Sequence, residues 1–298
     1  MLGWLWSRQR GSSHGCLTQP WSSLEVLGRF ICVSALPVGA GCVVSKFSII
    51  TVGLNSAATI RDTIESVLAQ DYPDIEYIVV DGASQDGTMR IVQEYDDRIA
   101  RAVSAPDKGV YDAMNTGIEL ATGDIIGFIN SDDFYASNTV ISSVAALFGK
   151  NVATDAVYGD LCYVRKDDVS KVVRYWRSSS FVPGAFARGW CPPHPTFFLR
   201  RSVYERFGGF DPEFPVAGDV ELMMRLLERH KIVSEHVPEI WVRMRTGGQT
   251  NRSIRNVIRQ NRRIMAAIRK HGLVDSWTRF LAHKAFLRIE QFIARPAE

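Results

Sequence analysis

The sequence predicts an α/β fold with a mostly parallel sheet in the first part of residues 46–250, an α+β second part, and helices at the C-terminal end. Three observations predict it. From Lys46 onward, apolar runs of strand length alternate with amphipathic helical patterns, and strand, helix, strand is the grammar of a parallel sheet. Polar and acidic residues follow those apolar runs directly, at the strands' carboxyl ends, where open α/β sheets bind ligands. Beyond Ser137 the alternation gives way to hairpin-like strands and a Gly/Pro-containing loop.

Taken in order, Phe47 to Val52 reads as a buried strand, followed by a helix with Ile60, Ile64, Val67 and Leu68 on one face. Thr59 and Asp62 are expected to form its capping box. Ile75 to Val80 is the next strand, and Thr88 to Glu94 a helix capped by Thr88. A short strand near Ala102, a helix from Val110 to Leu120 and a strand from Ile125 to Asn130 complete the cycle. Ala156 to Tyr163 and Lys171 to Trp176 read as a hairpin, residues 177–193 as a loop, and Thr196 to Leu199 as a strand. Gly218 leads into a helix whose Val220, Met223, Met224 and Leu227 share a face. Ile254, Val257, Ile258, Met265 and Ile268 mark a long helix, and Trp277 to Ile293 is amphipathic and basic.

The 298 residues suffice for one large α/β domain or two smaller ones. With 46% hydrophobic and 22% charged residues, the composition excludes disordered, collagenous and coiled-coil classes. The net charge of +3 is too small for a nucleic-acid binder, but it is unevenly spread, with residues 43–244 at −8 and residues 245–298 at +9. A basic tail on an acidic body points to an anionic partner, with a membrane surface as one candidate and a solvated face as the other. The five cysteines show no paired spacing, so neither zinc nor a disulfide framework is indicated and a cytoplasmic setting fits, with the inner membrane face as the peripheral alternative. Residues 1–45 are expected to be a disordered or mis-assigned extension. Phe30 to Val44, broken by Pro37, Gly39 and Gly41, is too short to span a bilayer, and a membrane-touching segment or a cleaved signal stands as the alternative.

Neither G-x-G-x-x-G, the P-loop, G-x-S-x-G nor H-E-x-x-H occurs, which leaves carboxylates as the candidate chemistry. Asn130, Ser131, Asp132 and Asp133 end an apolar strand, and two adjacent acids there repel unless a cation neutralises them. Mg²⁺ or Mn²⁺ suits such a sparse site, because it takes one or two carboxylates and completes its shell with water and substrate phosphates. The alternative is a cap for the helix expected near Asn138. In Val79 to Thr88, turn chemistry accounts for Gly82, Asp86, Gly87 and Thr88 but not for Asp81, an acid held where a nucleobase N–H or ribose hydroxyl can be bound.

These motifs resemble the family 2 glycosyltransferases. The resemblance is carried by Phe47 to Asn55, Val79 to Thr88, Lys108 to Gly117, Asn130 to Asp133 and His194 to Phe198, then by Gly208 to Asp211 and Ala217 to Asp219, in the family's order over about residues 46 to 250. It is most similar to bacterial enzymes that build exopolysaccharide or lipid-linked glycans. The resemblance implies the GT-A fold, a Rossmann-like sheet with a nucleotide-sugar half at 46–137 and an acceptor half at 138–250; beyond it, the apolar spacing and the charge read as basic amphipathic C-terminal helices at 251–298. It implies an inverting transfer from a nucleotide-diphosphate sugar to a glycan or lipid-linked acceptor. Asp81 matches the acid that reads the base, and Asp132 with Asp133 the metal-binding D-x-D-type acids. Asn130 or Ser131 is implied near the ribose, with Thr51 and Asn55 as contacts from the first loop. Asn130 stands where an Asp is frequent, and Val52-Gly53 where many members have Pro-Thr.

Asp219 matches the family's general base. A sugar hydroxyl is a weak nucleophile until its proton is removed, although an Asp at a helix start is also an ordinary cap. Lys108 can pair with a diphosphate or be solvated, and Asp112 and Asn115 lie near the following helix start. His194 is fixed by Pro192, Pro193 and Pro195 beside the expected acceptor cleft, as a functional or a structural residue. Gly247 and Gly248 can expose backbone N–H groups to phosphate or form a plain turn. Competing readings are a non-catalytic nucleotide-sugar-binding subunit of a glycan-assembly complex and a sugar nucleotidyltransferase. Asp219 argues against the first, and the lack of a Gly-rich, Arg-containing phosphate loop against the second.

Overall fold

The computed structural model describes residues 45–247, 254–273 and 276–293. The extension expected through residue 45 lies, apart from Ser45, outside the described residues, as does Gly248.

Nine strands form one sheet among the described residues, in the order β3-β2-β1-β4-β8-β6-β9-β5 with β7 paired to β6. β1 (Phe47–Gly53), β2 (Ile75–Asp81), β3 (Arg101–Ser104) and β4 (Ile125–Asn130) are mutually parallel. β8 (Phe198–Arg200) runs antiparallel to both β4 and β6 (Ala156–Val164). β6 pairs antiparallel with β7 (Val172–Trp176) and parallel with β9 (Ser234–Arg245), which returns to pair with the short β5 (Phe134–Tyr135). The central strands are almost uninterrupted apolar runs because both faces are covered. Alternation sends Ile50, Val52, Ile78, Val80 and Phe128 into one core and Phe47, Ile49, Tyr77, Val79 and Ile129 into the other.

α1 (Ile60–Leu68), α2 (Thr88–Gln93) and α4 (Val140–Lys150) bury their apolar stripes in the second of these cores. α3 (Val110–Leu120), α5 (Arg201–Phe207) and α6 (Gly218–Met224, continued as a wider turn through Arg229) cover the first. β4 and β8 approach so closely at Gly127 that a Cβ there would lie 2.4 Å from the Phe198 ring. In the sheet's register, Gly53 faces Asp81 and Val52 faces Asn130, so the carboxyl ends of β1, β2 and β4 lie side by side.

Several local expectations give way to tertiary partners. The Thr59–Asp62 capping box does not form, because the Thr59 hydroxyl donates to the Ser131 carbonyl at 2.9 Å and Asp62 pairs with Arg245. At α2 the cap is the Asp86 carboxylate, which accepts the Thr88 N–H at 3.0 Å, while Thr88 is already helical. Pro193 and Pro195 lack N–H donors, and the segment expected to begin a strand at Thr196 is a short helical turn over His194–Thr196 before β8. β9 was not anticipated. Its pairing with β6 shifts register beside Pro238, which cannot donate to the ladder, and only its second half has a strand's texture.

The tail is folded onto the body. α7 (Ile254–Lys270) buries Ile264, Met265, Ala267 and Ile268, and α8 (Trp277–Ile293) buries Phe280 and packs Leu281 in the same core. No helix among the described residues is long and apolar enough to cross a membrane.

Candidate active site

The ends of β1, β2 and β4 gather most of the expected donor-side residues. Asp81 is buried, and its carboxylate accepts the Ser84 N–H at 2.8 Å, the Ser104 hydroxyl at 2.6 Å and the Ser84 hydroxyl. Asn55, at φ 54°, ties the first loop to the second: its N–H donates to Ser84 at 2.7 Å and its Oδ1 accepts the Gln85 N–H at 2.9 Å. Ser131 is buried, with its hydroxyl 2.7 Å from that of Ser56.

The acid pair splits into two environments. Asp133 is 1% exposed, and its carboxylate accepts the Asn130 side-chain amide at 2.9 Å and the Arg245 N–H at 3.1 Å. Asp132 is half-buried, and its carboxylate takes no hydrogen bond from another residue among the described residues. Burial pushes the Asp132 carboxyl up against the pull of Arg245 and Lys166. Burial and then repulsion from Asp132 push Asp133 well above the carboxylate range. Both shifts mean that a cation would be welcome. The cap alternative fails, because α4 starts at Val140 behind Thr139, well past the acids. Among the described residues no cluster of three or more His, Cys, Asp or Glu could hold a metal. The half-buried Asp132 carboxylate could offer one protein ligand to a hard divalent ion such as Mg²⁺ or Mn²⁺, whose shell is usually completed by water and substrate oxygens.

Other expected donor contacts are engaged inside the protein. Thr51 is buried, with its hydroxyl 3.0 Å from that of Tyr77. The Asn115 amide bridges to Phe210, donating to its carbonyl at 2.9 Å and accepting its N–H at 2.8 Å, and so clamps α3 to the segment between α5 and α6. Asp112 accepts the Lys108 N–H at 3.0 Å, which closes the loop before α3 and leaves the Lys108 side chain exposed.

In the second half of the domain, Asp219 lies in the first turn of α6 and makes no cap hydrogen bond. The residue preceding the helix is Ala217 at φ 62°. Its Oδ1 accepts the Tyr111 hydroxyl at 2.8 Å. The Tyr111 phenol is held well above its usual range, by burial and then by the Asp219 charge, so it stays a donor. Its ring lies flat on Gly218, where a Cβ would sit 2.9 Å away, and stacks on Phe210 at 5.2 Å. His194 stacks on Phe128 at 5.6 Å and meets Phe210 edge-on at 5.7 Å. Burial lowers its pKa against the opposing Asp219 charge, so it is a neutral wall residue behind the base candidate. Gly247, at φ +101°, follows β9 in a turn.

Sequence reasoning missed Tyr111, although it lies inside the Lys108 to Gly117 motif, and it missed Arg245. The Arg245 guanidinium bonds the Asp132 carbonyl at 2.8 Å and the Asp62 carboxylate, and lies 4.9 Å over the Phe134 ring. A lone arginine in an unrecognised strand carries no sequence signal.

The parallel strands β1 to β4, continued by the mixed strands β8, β6 and β9 and covered by helices, form the GT-A architecture. The model of glycosyl transferase family 2 matches residues 48–209, just over half of the chain, and the chain belongs to that family. It is 30% identical over 202 residues to a PGL/p-HBAD biosynthesis glycosyltransferase of Mycobacterium bovis, covering 64% of this chain and 73% of the relative. It is 40% identical over 89 residues to the putative teichuronic acid biosynthesis glycosyltransferase TuaG of Bacillus subtilis, covering 29% and 35%. Among solved structures, S. aureus TarS 1–349 in complex with UDP-GlcNAc superposes with a TM-score of 0.59 at 20% identity, covering 82% of this chain and 71% of that one. Mannosyltransferase PcManGT of Pyrobaculum calidifontis, in complex with GDP-Man and Mn²⁺, superposes with a TM-score of 0.58 at 22% identity, covering 82% and 70%. At those identities the structural likeness speaks for the fold.

Proposed function

We propose that this glycosyltransferase moves a sugar, with inversion, from a nucleotide-diphosphate sugar to a hydroxyl of a glycan or lipid-linked acceptor. Asp219 removes the acceptor proton. The acceptor oxygen then bonds to the anomeric carbon as the bond to the diphosphate breaks, and the diphosphate leaves with the electron pair. One observation carries this reading: the Asp219 carboxylate is not spent on capping, and Tyr111 holds its Oδ1 at 2.8 Å. A carboxylate fixed by one oxygen keeps the other available to a hydroxyl, and a positioned base contributes typically about 10² to 10⁴-fold.

Asp81, set by Ser84 and Ser104, is the acceptor group for a base or ribose donor. Asp132 would hold Mg²⁺ or Mn²⁺, which when bound supplies charge neutralisation of the departing diphosphate. PcManGT in its complex with GDP-Man and Mn²⁺, and the complex of TarS with UDP-GlcNAc, support a nucleotide-sugar donor and a divalent ion. Asp133, Asn130, Thr51 and Asn115 support the loops instead of touching the donor. The basic tail would face an anionic membrane surface, where a lipid-linked acceptor resides.

The test is a panel of UDP- and GDP-sugars with Mn²⁺, read as nucleoside-diphosphate release with and without a lipid-linked acceptor, for wild type and Asp219→Asn. The variant is expected to bind donor as wild type does and to turn over at least about 100-fold more slowly. Retention of more than about a tenth of wild-type turnover would remove Asp219 from the role.

A further inference from the structure

Glu221 lies fully buried in α6, two residues beyond Asp219, among the apolar Val220, Leu222, Met223 and Met224. Its Oε1 accepts the Arg225 Nε–H at 3.2 Å and stands 2.8 Å from His271 Nε2. A carboxylate accepts, so Nε2 is the ring nitrogen that carries a hydrogen and donates it. Among the described residues neither Glu221 Oε2 nor His271 Nδ1 has a partner. The imidazole, itself buried, therefore holds the carboxylate and passes no proton onward. His271 stands at the end of α7, where Gly272 at φ +68° and the Leu273 N–H, donating to the Ile268 carbonyl at 3.0 Å, close the helix.

Packing alone does not call for this trio. A buried carboxylate loses its hydration, and an apolar side chain of similar volume would serve stability at least as well, so what the contact adds is a fixed arrangement. Arg225 does not fix Glu221 by itself, because its two terminal nitrogens donate to the Phe207 and Gly209 carbonyls at the end of α5. The turn that carries Asp219 needs fixing. It has no side-chain cap, and the chain enters it through Ala217 at φ 62°, a left-handed conformation that a residue with a Cβ keeps only where its surroundings over-determine it. Tyr111 holds this turn at the Asp219 carboxylate. The Glu221 N–H closes the same turn on the Ala217 carbonyl at 3.0 Å, so the side chain that His271 grips belongs to the residue that seals it.

We infer that His271 is a positioning residue for Asp219: by holding Glu221, the end of α7 fixes the first turn of α6 at a second point besides Tyr111. The inference rests on the glycosyltransferase reading for the task of Asp219 and deepens it by making the tail part of what aims the base. A general base works only within hydrogen-bond reach of the proton it takes, so a turn free to shift by about 1 Å loses turnover and not donor binding.

Turnover, donor affinity and amide hydrogen exchange on the full chain test this, with the UDP- or GDP-sugar from which wild type releases nucleoside diphosphate. His271→Leu is expected to lower turnover at saturating donor about tenfold with donor affinity unchanged. It should also speed exchange over residues 217–224 while β1, β2 and β4 exchange as in wild type. His271→Gln, whose amide nitrogen can stand where Nε2 does, should restore most of both. Lys270→Gln is the control and should keep wild-type turnover, because Lys270 ties the same helix end to Asp211 and Glu213 by partly exposed ion pairs and not to Glu221. In an Asp219→Asn background, His271→Leu should lower turnover no further. Thermal melts report whether each variant folds, and if His271→Leu does not, His271→Asn, polar but too short to reach Glu221, takes its place. Wild-type turnover in the His271 variant, an equal loss in Lys270→Gln, or a further loss on top of Asp219→Asn would overturn the inference. Wild-type turnover in Asp219→Asn removes the base reading instead, and exchange over residues 217–224 then decides by itself whether His271 holds that turn.

Discussion

Asp132 and Asp133 are adjacent, yet among the described residues one carboxylate takes no hydrogen bond from another residue while the other holds two elements together. Their substitutions should fail in different ways. Asp132→Ala is expected to abolish the metal-dependent part of donor binding, measured by calorimetry with and without Mn²⁺, while its melting temperature stays within about a degree of wild type. Asp133→Ala leaves the Asn130 amide and the Arg245 N–H without their acceptor, at about 1 to 3 kcal/mol for each buried donor, so it should melt several degrees lower. Equal donor affinity in Asp132→Ala and wild type with metal present would reject the metal role. At this scale Asp81 stood out in the sequence because turn chemistry did not explain it, whereas Asp219, at a helix start where an acid is an ordinary cap, stood out only through the family resemblance. The internal partners of Asn115 and Thr51, Phe210 and Tyr77, carried no sequence signal, because a motif does not say which element a polar side chain will meet.

Elements were legible where both faces of a strand or one stripe of a helix imposed a period, as in β1, β2, β4, α1 and α3. β9 was not, because Pro238 and the charges of its first half hide a strand that earns its place only by pairing with β6 and β5. Glu76 on β2 is another case of tertiary context. It is 6% exposed, so burial alone would raise its pKa, but hydrogen bonds from Ser48, Thr122 and Lys46 prevail and bring it from 4.5 to about 2. A folded pKa below the unfolded one stabilises fully above about pH 4.5, and that contribution is lost as pH falls through about 2. That lowering corresponds to about 3 kcal/mol. Glu76→Gln should therefore lose stability at pH 7 and lose less than wild type between pH 5 and pH 2. Urea melts across that window measure it, and parallel stability curves would show that Glu76 is not the acid-labile tie.

At the scale of the whole molecule, a −8 body carries a +9 tail, and the fold decides which part of that tail faces solvent. Phe280 and Leu281, apolar residues of the amphipathic segment Trp277 to Ile293, belong to the core, because a helix packed on the body must bury its apolar face there. What remains outside is a groove of about 500 Å³ along α7, lined by Arg255, Arg259, Arg262 and Arg263 with Ile258, and an exposed apolar stripe of Phe286, Ile289 and Ile293 on α8. Basic charge beside exposed apolar side chains is the composition of an interfacial surface on an anionic leaflet. Removing α8 would take Phe280 out of the core, so substitution on the solvent face is the cleaner change. Each basic residue near such a leaflet is worth about 1 kcal/mol, so Arg255→Gln, Arg259→Gln and Arg262→Gln together should weaken sedimentation with phosphatidylglycerol vesicles on the order of 100-fold at low salt. Raising the salt should erase the difference, because screening shortens the reach of the wild-type charges. Donor binding should stay at its wild-type value, because these arginines line α7 and not the ends of β1, β2 and β4. If wild type fails to sediment at low salt, or the triple variant sediments equally well, the arginine face has a task other than the membrane.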